Sequence, residues 1–227
     1  MPAATCVLLP AYNASKTIVA LTQRIKQLGC DVIVIDDGST DETARLSTQA
    51  GAFVMSHVSN RGKGAALRTG IAFALRSSYH VIATLDSDGQ HDPEDLPRLV
   101  AAAGGGEPVV VIGHRQFLGT EMPPARRRTN QFMSSVVSRL AGQRIPDSQC
   151  GFRAISRQAL LSLPLSSCRF ELETELLLVA ARRRIPIVSV PIRTIYDNHV
   201  SHIHPIVDGW RFVCLIIRHL LRFPLPS

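Results

Sequence analysis

Asp86 and Asp88 stand one residue apart in the stretch YHVIATLDSDGQHDP (residues 79–93), where a short apolar run ends in carboxylates and amides. Gln90, His91 and Asp92 follow at once. An oxygen-rich cluster of this kind suits a hard divalent cation, because Mg²⁺ typically takes one or two carboxylates and completes its shell with water and substrate phosphates. Asp86 and Asp88, with Gln90, His91 and Asp92 beside them, therefore make a candidate cage for such a cation. The competing reading is a plain turn rich in acids. For Asp92 that structural reading is preferred, as the N-cap of a helix opening at Pro93.

Further acids and bases fall at similar places. Asp36 and Asp37 close the apolar run DVIVID, and the following Ser39-Thr40-Asp41-Glu42 has the form of a capping box. Ser39 and Glu42 are then structural, whereas capping leaves Asp36 and Asp37 unexplained. Lys63 lies in NRGKGAA, whose glycines resemble a phosphate loop but lack its full spacing. Close packing of a helix start explains Gly62 and Gly64 equally well. Arg115, Arg126, Arg127 and Arg128 form a basic run with Gly119, Pro123 and Pro124, read as a loop; the alternatives are anion binding and simple solvation. Glu171, Glu173 and Glu175 open a helix that ends in Arg182, Arg183 and Arg184. Matching of the helix dipole alone accounts for that pattern.

The elements that must position these groups alternate between strand and helix. Strands are expected at 5–10, 31–36, 52–57, 80–85, 109–113 and 187–191, with a further short strand after a compact polar-to-apolar turn at 147–153, and helices at about 15–28, after the 39–42 box, led into by residues 60–66 and ending near Ser77, and at 93–103, 129–140 and from 170. Such alternation predicts an α/β fold with a doubly wound, mostly parallel sheet and right-handed crossovers. In sheets of this kind ligands bind at the carboxyl ends of the strands, which is where Asp36, Asp37, Asp86, Asp88 and Arg115 fall. Prolines flank the last strand and suggest a sheet edge.

The chain has 227 residues, 45% hydrophobic, enough for a large core. A net charge of +7 favours an anionic partner. With 5% aromatic residues and no aromatic-basic interleaving, nucleic acid is not the expected one. Five scattered cysteines with no metal spacing read as reduced thiols of a cytoplasmic protein. No basic leader precedes the first apolar run, and no apolar stretch nears the roughly 20 residues of a spanning helix. The chain is thus expected to be soluble or peripheral on the cytoplasmic membrane face. Residues 1–204 read as one domain. In 205–227 a helical pattern sets Arg211, Arg218 and Arg222 on one stripe against Trp210, Val213, Ile217, Leu220 and Leu221. Such a helix fits a membrane interface; packing against the domain or against a second subunit of a homo-oligomer is the alternative.

Taken together, LLPAYN (8–13), VIDDGSTDET (34–43), NRGKGAALRTG (60–70) and LDSDGQHDPEDL (85–96) resemble the family 2 inverting glycosyltransferases. DSQCGFRA (147–154), FELETELL (170–177) and VPIRTIY (190–196) extend the resemblance over nearly the whole chain. Within the family the chain is most similar to polyprenyl-phosphate glycosyltransferases such as dolichyl-phosphate mannose or glucose synthases. The resemblance implies a GT-A fold, a UDP- or GDP-sugar donor, and Mg²⁺ or Mn²⁺ at the DxD-type motif. By position it implies Pro10 and Tyr12 in the nucleotide pocket, Asp36 and Asp37 near the base or ribose, and Lys63 with the donor. It further implies Asp86, Asp88 and Gln90 at the metal and diphosphate, and Arg115 beside the diphosphate.

Glu173 occupies the place where relatives with hydroxyl acceptors keep a base. Arg126, Arg127 and Arg128 are the candidates for gripping a lipid-phosphate acceptor. The chain departs from its relatives at Ala14, where many carry glutamate, and it lacks the QxxRW motif of processive members. The competing functions are a nucleotidyltransferase, disfavoured by the absence of a glycine-rich basic loop after the first strand, and a non-catalytic nucleotide-binding scaffold.

Overall fold

A computed structural model describes residues 4–115, 124–167 and 171–193, together with Cys214, Ile216 and Ile217; the side chains of 124–126 are outside that description. The chain begins with β1 (Thr5–Ala11), α1 (Ile18–Gln27), β2 (Asp31–Asp36), α2 (Thr43–Gln49), β3 (Phe53–Ser56), α3 (Lys63–Ala74) and β4 (Val81–Thr84). A 3₁₀ turn at Pro93–Asp95 leads into α4 (Leu96–Ala103), then β5 (Val110–Arg115), α5 (Pro124–Ala141), β6 (Arg153–Ser156), α6 (Arg157–Ser162), α7 (Glu171–Arg182) and β7 (Ile187–Ile192). β1 and β4 are buried along their whole length, which is why their sequences are continuous apolar runs and not alternating ones.

The seven strands form one sheet in the order β3-β2-β1-β4-β6-β5-β7. Every pairing is parallel except those of β6, which runs antiparallel to both β4 and β5. The expected doubly wound, mostly parallel sheet is present, and β7 is an edge strand. The reversed strand has a consequence for the site. Because β6 runs against its neighbours, its first residue, Arg153, pairs with Thr84 at the end of β4. Residues 147–152 therefore reach the sheet at the same edge as the carboxyl ends of β1, β2, β4 and β5.

Several local expectations change. α1 starts at Ile18 and not at Ser15, because Ala14–Thr17 form a turn closed by Thr17 N–H donating to the Ala14 carbonyl (3.0 Å). Arg126, Arg127 and Arg128 do not lie in a loop with Arg115: Arg115 is the last residue of β5, and the three arginines are in the opening turns of α5, with Arg127 and Arg128 exposed. Favourable helix propensity of arginine and a proline at the helix start account for this. The C-terminal helix expected over 206–223 falls outside the described residues except for helical Cys214, Ile216 and Ile217, of which Ile216 packs on the core.

The capping box at 39–42 is not formed. Ser39 Oγ accepts the Asn13 amide (2.9 Å), and it is Asp41 that accepts the amides of Thr43 (3.0 Å) and Ser15 (3.1 Å) as well as the Thr43 hydroxyl. One carboxylate thus ties the loop after β1 to the start of α2. Burial pushes the Asp41 pKa up, but the bonds from Thr43 and Ser15 outweigh it and hold the pKa at about 2, below the ordinary 3.8. Asp41→Ala should cost about 1 kcal/mol of stability at pH 7, the usual worth of a lost cap. Since the folded pKa is depressed, that contribution is complete above 3.8 and disappears as the pH falls towards about 2. Urea unfolding of both proteins at neutral pH and near the lower value checks the difference and its loss.

Candidate active site

Loops at the carboxyl edge are stitched together by short polar side chains. Ser87 Oγ donates to the Pro10 carbonyl (3.0 Å), Thr17 Oγ1 donates to the Ser87 carbonyl (2.5 Å), and Thr40 N–H donates to Asn13 Oδ1 (2.9 Å). The loops after β1, β2 and β4 therefore hold one another in place. Tyr12 sits on this surface 43% exposed, available to a ligand, while Pro10 is buried beneath it.

Behind these loops lies a row of alternating charge. Lys63 Nζ is 2.6 Å from Asp86 Oδ1 and 3.0 Å from Glu173 Oε2, so residues from α3, the end of β4 and α7 meet in one ion triad. Burial works against the Asp86 charge, but Lys63 prevails and keeps its pKa low. Glu173 Oε1 is buried and has no hydrogen-bond partner. Lys63 is the first residue of α3, and Gly62 before it adopts φ +94°, a conformation that suits glycine. That turn is held by Asp37, whose oxygens accept the amides of Arg61 (3.0 Å) and Gly62 (2.7 Å).

Asp37 is thus a positioning group in the protein. His57 Nδ1 lies 2.6 Å from Asp37 Oδ1, and its Nε2 lies 3.0 Å from Thr69 Oγ1, which fixes the carboxylate from behind. Asp36 is also buried, and its Oδ1 accepts the Ser39 amide (3.1 Å) in the same turn. The structure brings Asp36, Asp37, Lys63, Asp86 and Glu173 to one edge. It adds His57, which the sequence reading passed over because a lone histidine carries no spacing signal.

Asp88 is exposed, and within the protein its carboxylate accepts the Gln90 amide (2.9 Å). Crowding by protein atoms, and then the Asp86 charge, push the Asp88 pKa up. His91 is 4% exposed with its Nδ1 unpartnered, and its ring tilts against Phe152 at 5.8 Å between centroids. Burial holds its pKa down, so it stands neutral beside the two aspartates. Two carboxylates that resist joint ionisation are a fitting environment for a divalent cation. Among the described residues no group of three or more His, Cys, Asp or Glu side chains could hold a metal by itself. The donor set is thus an incomplete one, of the kind that substrate phosphates complete.

The stretch 147–153, expected as a turn leading into a short strand, supplies the floor of the site and does lead into β6. Asp147 and Arg115, both buried, form a two-pronged pair with Nε to Oδ2 at 2.7 Å and Nη2 to Oδ1 at 2.9 Å. A Cβ on Gly151 would stand 2.5 Å from Asp86 Oδ2, so only glycine lets the loop lie against that carboxylate. Arg153, fully buried, donates to the carbonyls of Cys150 (2.9 Å), Ser148 (3.0 Å) and Glu173 (2.6 Å), locking this loop to the first turn of α7. The signal that was open to sequence reading was an arginine at the start of a short apolar strand. Arg115, expected beside a diphosphate, pairs in the structure with Asp147.

A model of the family described as glycosyl transferase family 2 matches residues 6–163. The chain belongs to glycosyltransferase family 2. It is a glycosyltransferase with the GT-A fold, which sets aside the nucleotidyltransferase and scaffold readings. A relative, the UDP-N-acetylglucosamine–dolichyl-phosphate N-acetylglucosaminyltransferase of Methanococcus voltae, is 30% identical over 85% of this chain and 86% of its own. The polyprenol monophosphomannose synthase of Mycolicibacterium smegmatis is 32% identical over 83% of this chain and 76% of its own. In fold the chain is similar to glucosyl-3-phosphoglycerate synthase from Mycobacterium tuberculosis, solved with Mg²⁺ and UDP: TM-score 0.75, 25% identity, covering 99% of this chain and 81% of that one.

Proposed function

We propose that this family 2 enzyme transfers a sugar, with inversion, from a UDP- or GDP-sugar to the phosphate of a polyprenyl phosphate. Asp86 and Asp88 would hold Mg²⁺ or Mn²⁺, with Gln90 beside them. When bound, the cation supplies charge neutralisation at the leaving diphosphate. Tyr12 offers an open ring face for the nucleotide, and Asp37 acts through the turn that mounts Lys63. Arg115, braced by Asp147, adds positive charge near Asp86, whose pKa it helps to lower.

The observation that carries the acceptor assignment is the pairing of Glu173 Oε2 with Lys63 Nζ at 3.0 Å. A carboxylate engaged by an ammonium is poorly placed to take a proton from a hydroxyl. A phosphate monoester is already anionic and needs no base. One relative named above is a dolichyl-phosphate N-acetylglucosaminyltransferase and another a polyprenol monophosphomannose synthase, which supports the same reading. Arg126, Arg127 and Arg128 at the start of α5 are proposed to meet the acceptor phosphate, and residues 206–223 to lie at the membrane surface. Among the described residues no helix is long and apolar enough to cross a membrane.

A hydroxyl acceptor is the second reading, favoured by the buried, unpartnered Glu173 Oε1, which has lone pairs free for a proton. Transfer assays with polyprenyl phosphate and with polyprenol separate the two. The expected result is transfer to the phosphate alone, with Glu173→Gln slowed less than about 10-fold and its pH profile unchanged in shape. Loss of a general base would instead cost roughly 10²–10⁴-fold and remove a limb of the profile.

A further inference from the structure

We infer that Lys63 and the divalent cation compete for Asp86, and that Glu173 is the positioning residue that keeps the displaced ammonium in the site. The inference rests on Asp86 being a metal ligand, as proposed above. Nζ lies 2.6 Å from Asp86 Oδ1. A Mg²⁺ ion needs a carboxylate oxygen at about 2.0–2.1 Å. Held against the same carboxylate, ion and ammonium repel each other at close range, in surroundings where Lys63 and Asp86 are only 18% and 26% exposed and water screens poorly. Asp86 therefore serves one of them fully at a time.

The geometry also says which part moves. The Lys63 backbone is pinned, because Asp37 grips the two amides just before it. The Glu173 backbone is equally fixed, its carbonyl accepting from Arg153 at 2.6 Å. What remains free is the lysine stem. Glu173 already holds the ammonium through Oε2 at 3.0 Å, and its Oε1 has no partner, so it has acceptor capacity to spare. Displaced from Asp86, the ammonium stays on Glu173 and needs one more anionic oxygen. A nucleoside diphosphate brings that oxygen.

A cation arriving alone must break the Asp86–Lys63 pair with nothing to replace it, whereas a cation arriving with the diphosphate does not. Cation and donor must then strengthen each other's binding by the same factor. This makes Lys63 the origin of their coupling, beyond any direct contact with the donor.

The test measures Mn²⁺ binding from the loss of the free-ion paramagnetic resonance signal, with and without UDP, so that no turnover is involved. For the wild type, UDP should tighten Mn²⁺ by at least about 10-fold, a usual size for coupling between sites. In Lys63→Met, Mn²⁺ without UDP should bind about 10-fold more tightly, and the effect of UDP should shrink to about 2-fold. Arg61→Gln removes the same charge from an exposed neighbour that does not touch Asp86, and should change Mn²⁺ binding by less than about 2-fold. Glu173→Gln should weaken Mn²⁺ alone in the wild-type background and change it little in Lys63→Met, because its action runs through Lys63.

Far-ultraviolet dichroism and thermal melts verify folding, and Lys63→Gln replaces the methionine variant if that one fails to fold. Unchanged or weaker Mn²⁺ binding in a folded Lys63 variant would overturn the competition, and so would an equal gain in Arg61→Gln. A wild type that binds no Mn²⁺ even with UDP would overturn the metal assignment itself, and the inference with it.

Discussion

Asp88→Asn is expected to lower kcat for sugar transfer by about 10²–10³-fold, the scale on which loss of one charge-stabilising group slows such reactions, while the thermal unfolding curve stays in place or moves up slightly. The exposed carboxylate makes a single described bond, to the Gln90 amide, and asparagine can accept that bond as well. Nothing in the fold depends on the charge. The charge is in fact unfavourable there, since crowding and Asp86 raise its pKa. For a carboxylate with a raised folded pKa, the ionised form destabilises the fold relative to the unfolded chain, so neutralising it at pH 7 costs no stability. The same shift moves the acid limb of cation binding upward from the ordinary aspartate position, and binding should fall as the pH drops through it. Steady-state rates, melts and a Mn²⁺ titration across pH check these outcomes; substantial activity in the variant, or wild-type activity indifferent to EDTA, would remove Asp88 from the site.

Asp147→Ala is expected to cost about 3–5 kcal/mol of stability, the range for breaking a buried ion pair from one side. Asp147 is 1% exposed and Arg115 is 6% exposed, so the guanidinium loses its two bonds to Asp147 where water cannot replace them. The loss should also reach the site, because Asp147 heads the loop whose Gly151 lies against Asp86. Asp147→Asn keeps the shape and one acceptor and should cost less. Replacing the two partners together, Asp147→Leu with Arg115→Met, should recover part of the stability, since no charge is left buried. Denaturant unfolding of the set measures all three. A loss under about 1 kcal/mol in Asp147→Ala would mean that the pair is not the brace described here.

Asp86 and Asp88 were legible because their chemistry is local: two acids at the end of an apolar run can be read without knowing the fold. The same holds for Asp92, whose side chain accepts the Glu94 amide (3.2 Å) as the N-cap expected beside Pro93. The capping box at 39–42 was misread for a related reason, and Asp41 was passed over with it. Ser39 and Glu42 matched a local capping pattern, but Ser39 was recruited by the Asn13 amide, 26 positions away in sequence.

The contacts that join the site were not legible, although the resemblance had pointed to Lys63 and Glu173 one by one. Lys63 and Glu173 are 110 positions apart, and each alone reads as an ordinary residue near the start of a helix. Arg115 read as the opening of a basic loop until Asp147 was found opposite it.

By itself the sequence determined the alternation of strand and helix, the carboxyl edge as the place of chemistry, and the membership of a sugar-transferring family. These follow from hydrophobic periodicity, strand-end acids and local motifs, all of which act within a few residues. Only the tertiary structure decided that β6 enters the sheet in reverse between β4 and β5, carrying Asp147, Gly151 and Arg153 to the carboxyl edge. Strand direction within a sheet is set by long-range packing and leaves no mark on the strand's own composition. The Asp86–Lys63–Glu173 triad depends on it too, because the Arg153 that opens β6 holds the Glu173 carbonyl at 2.6 Å.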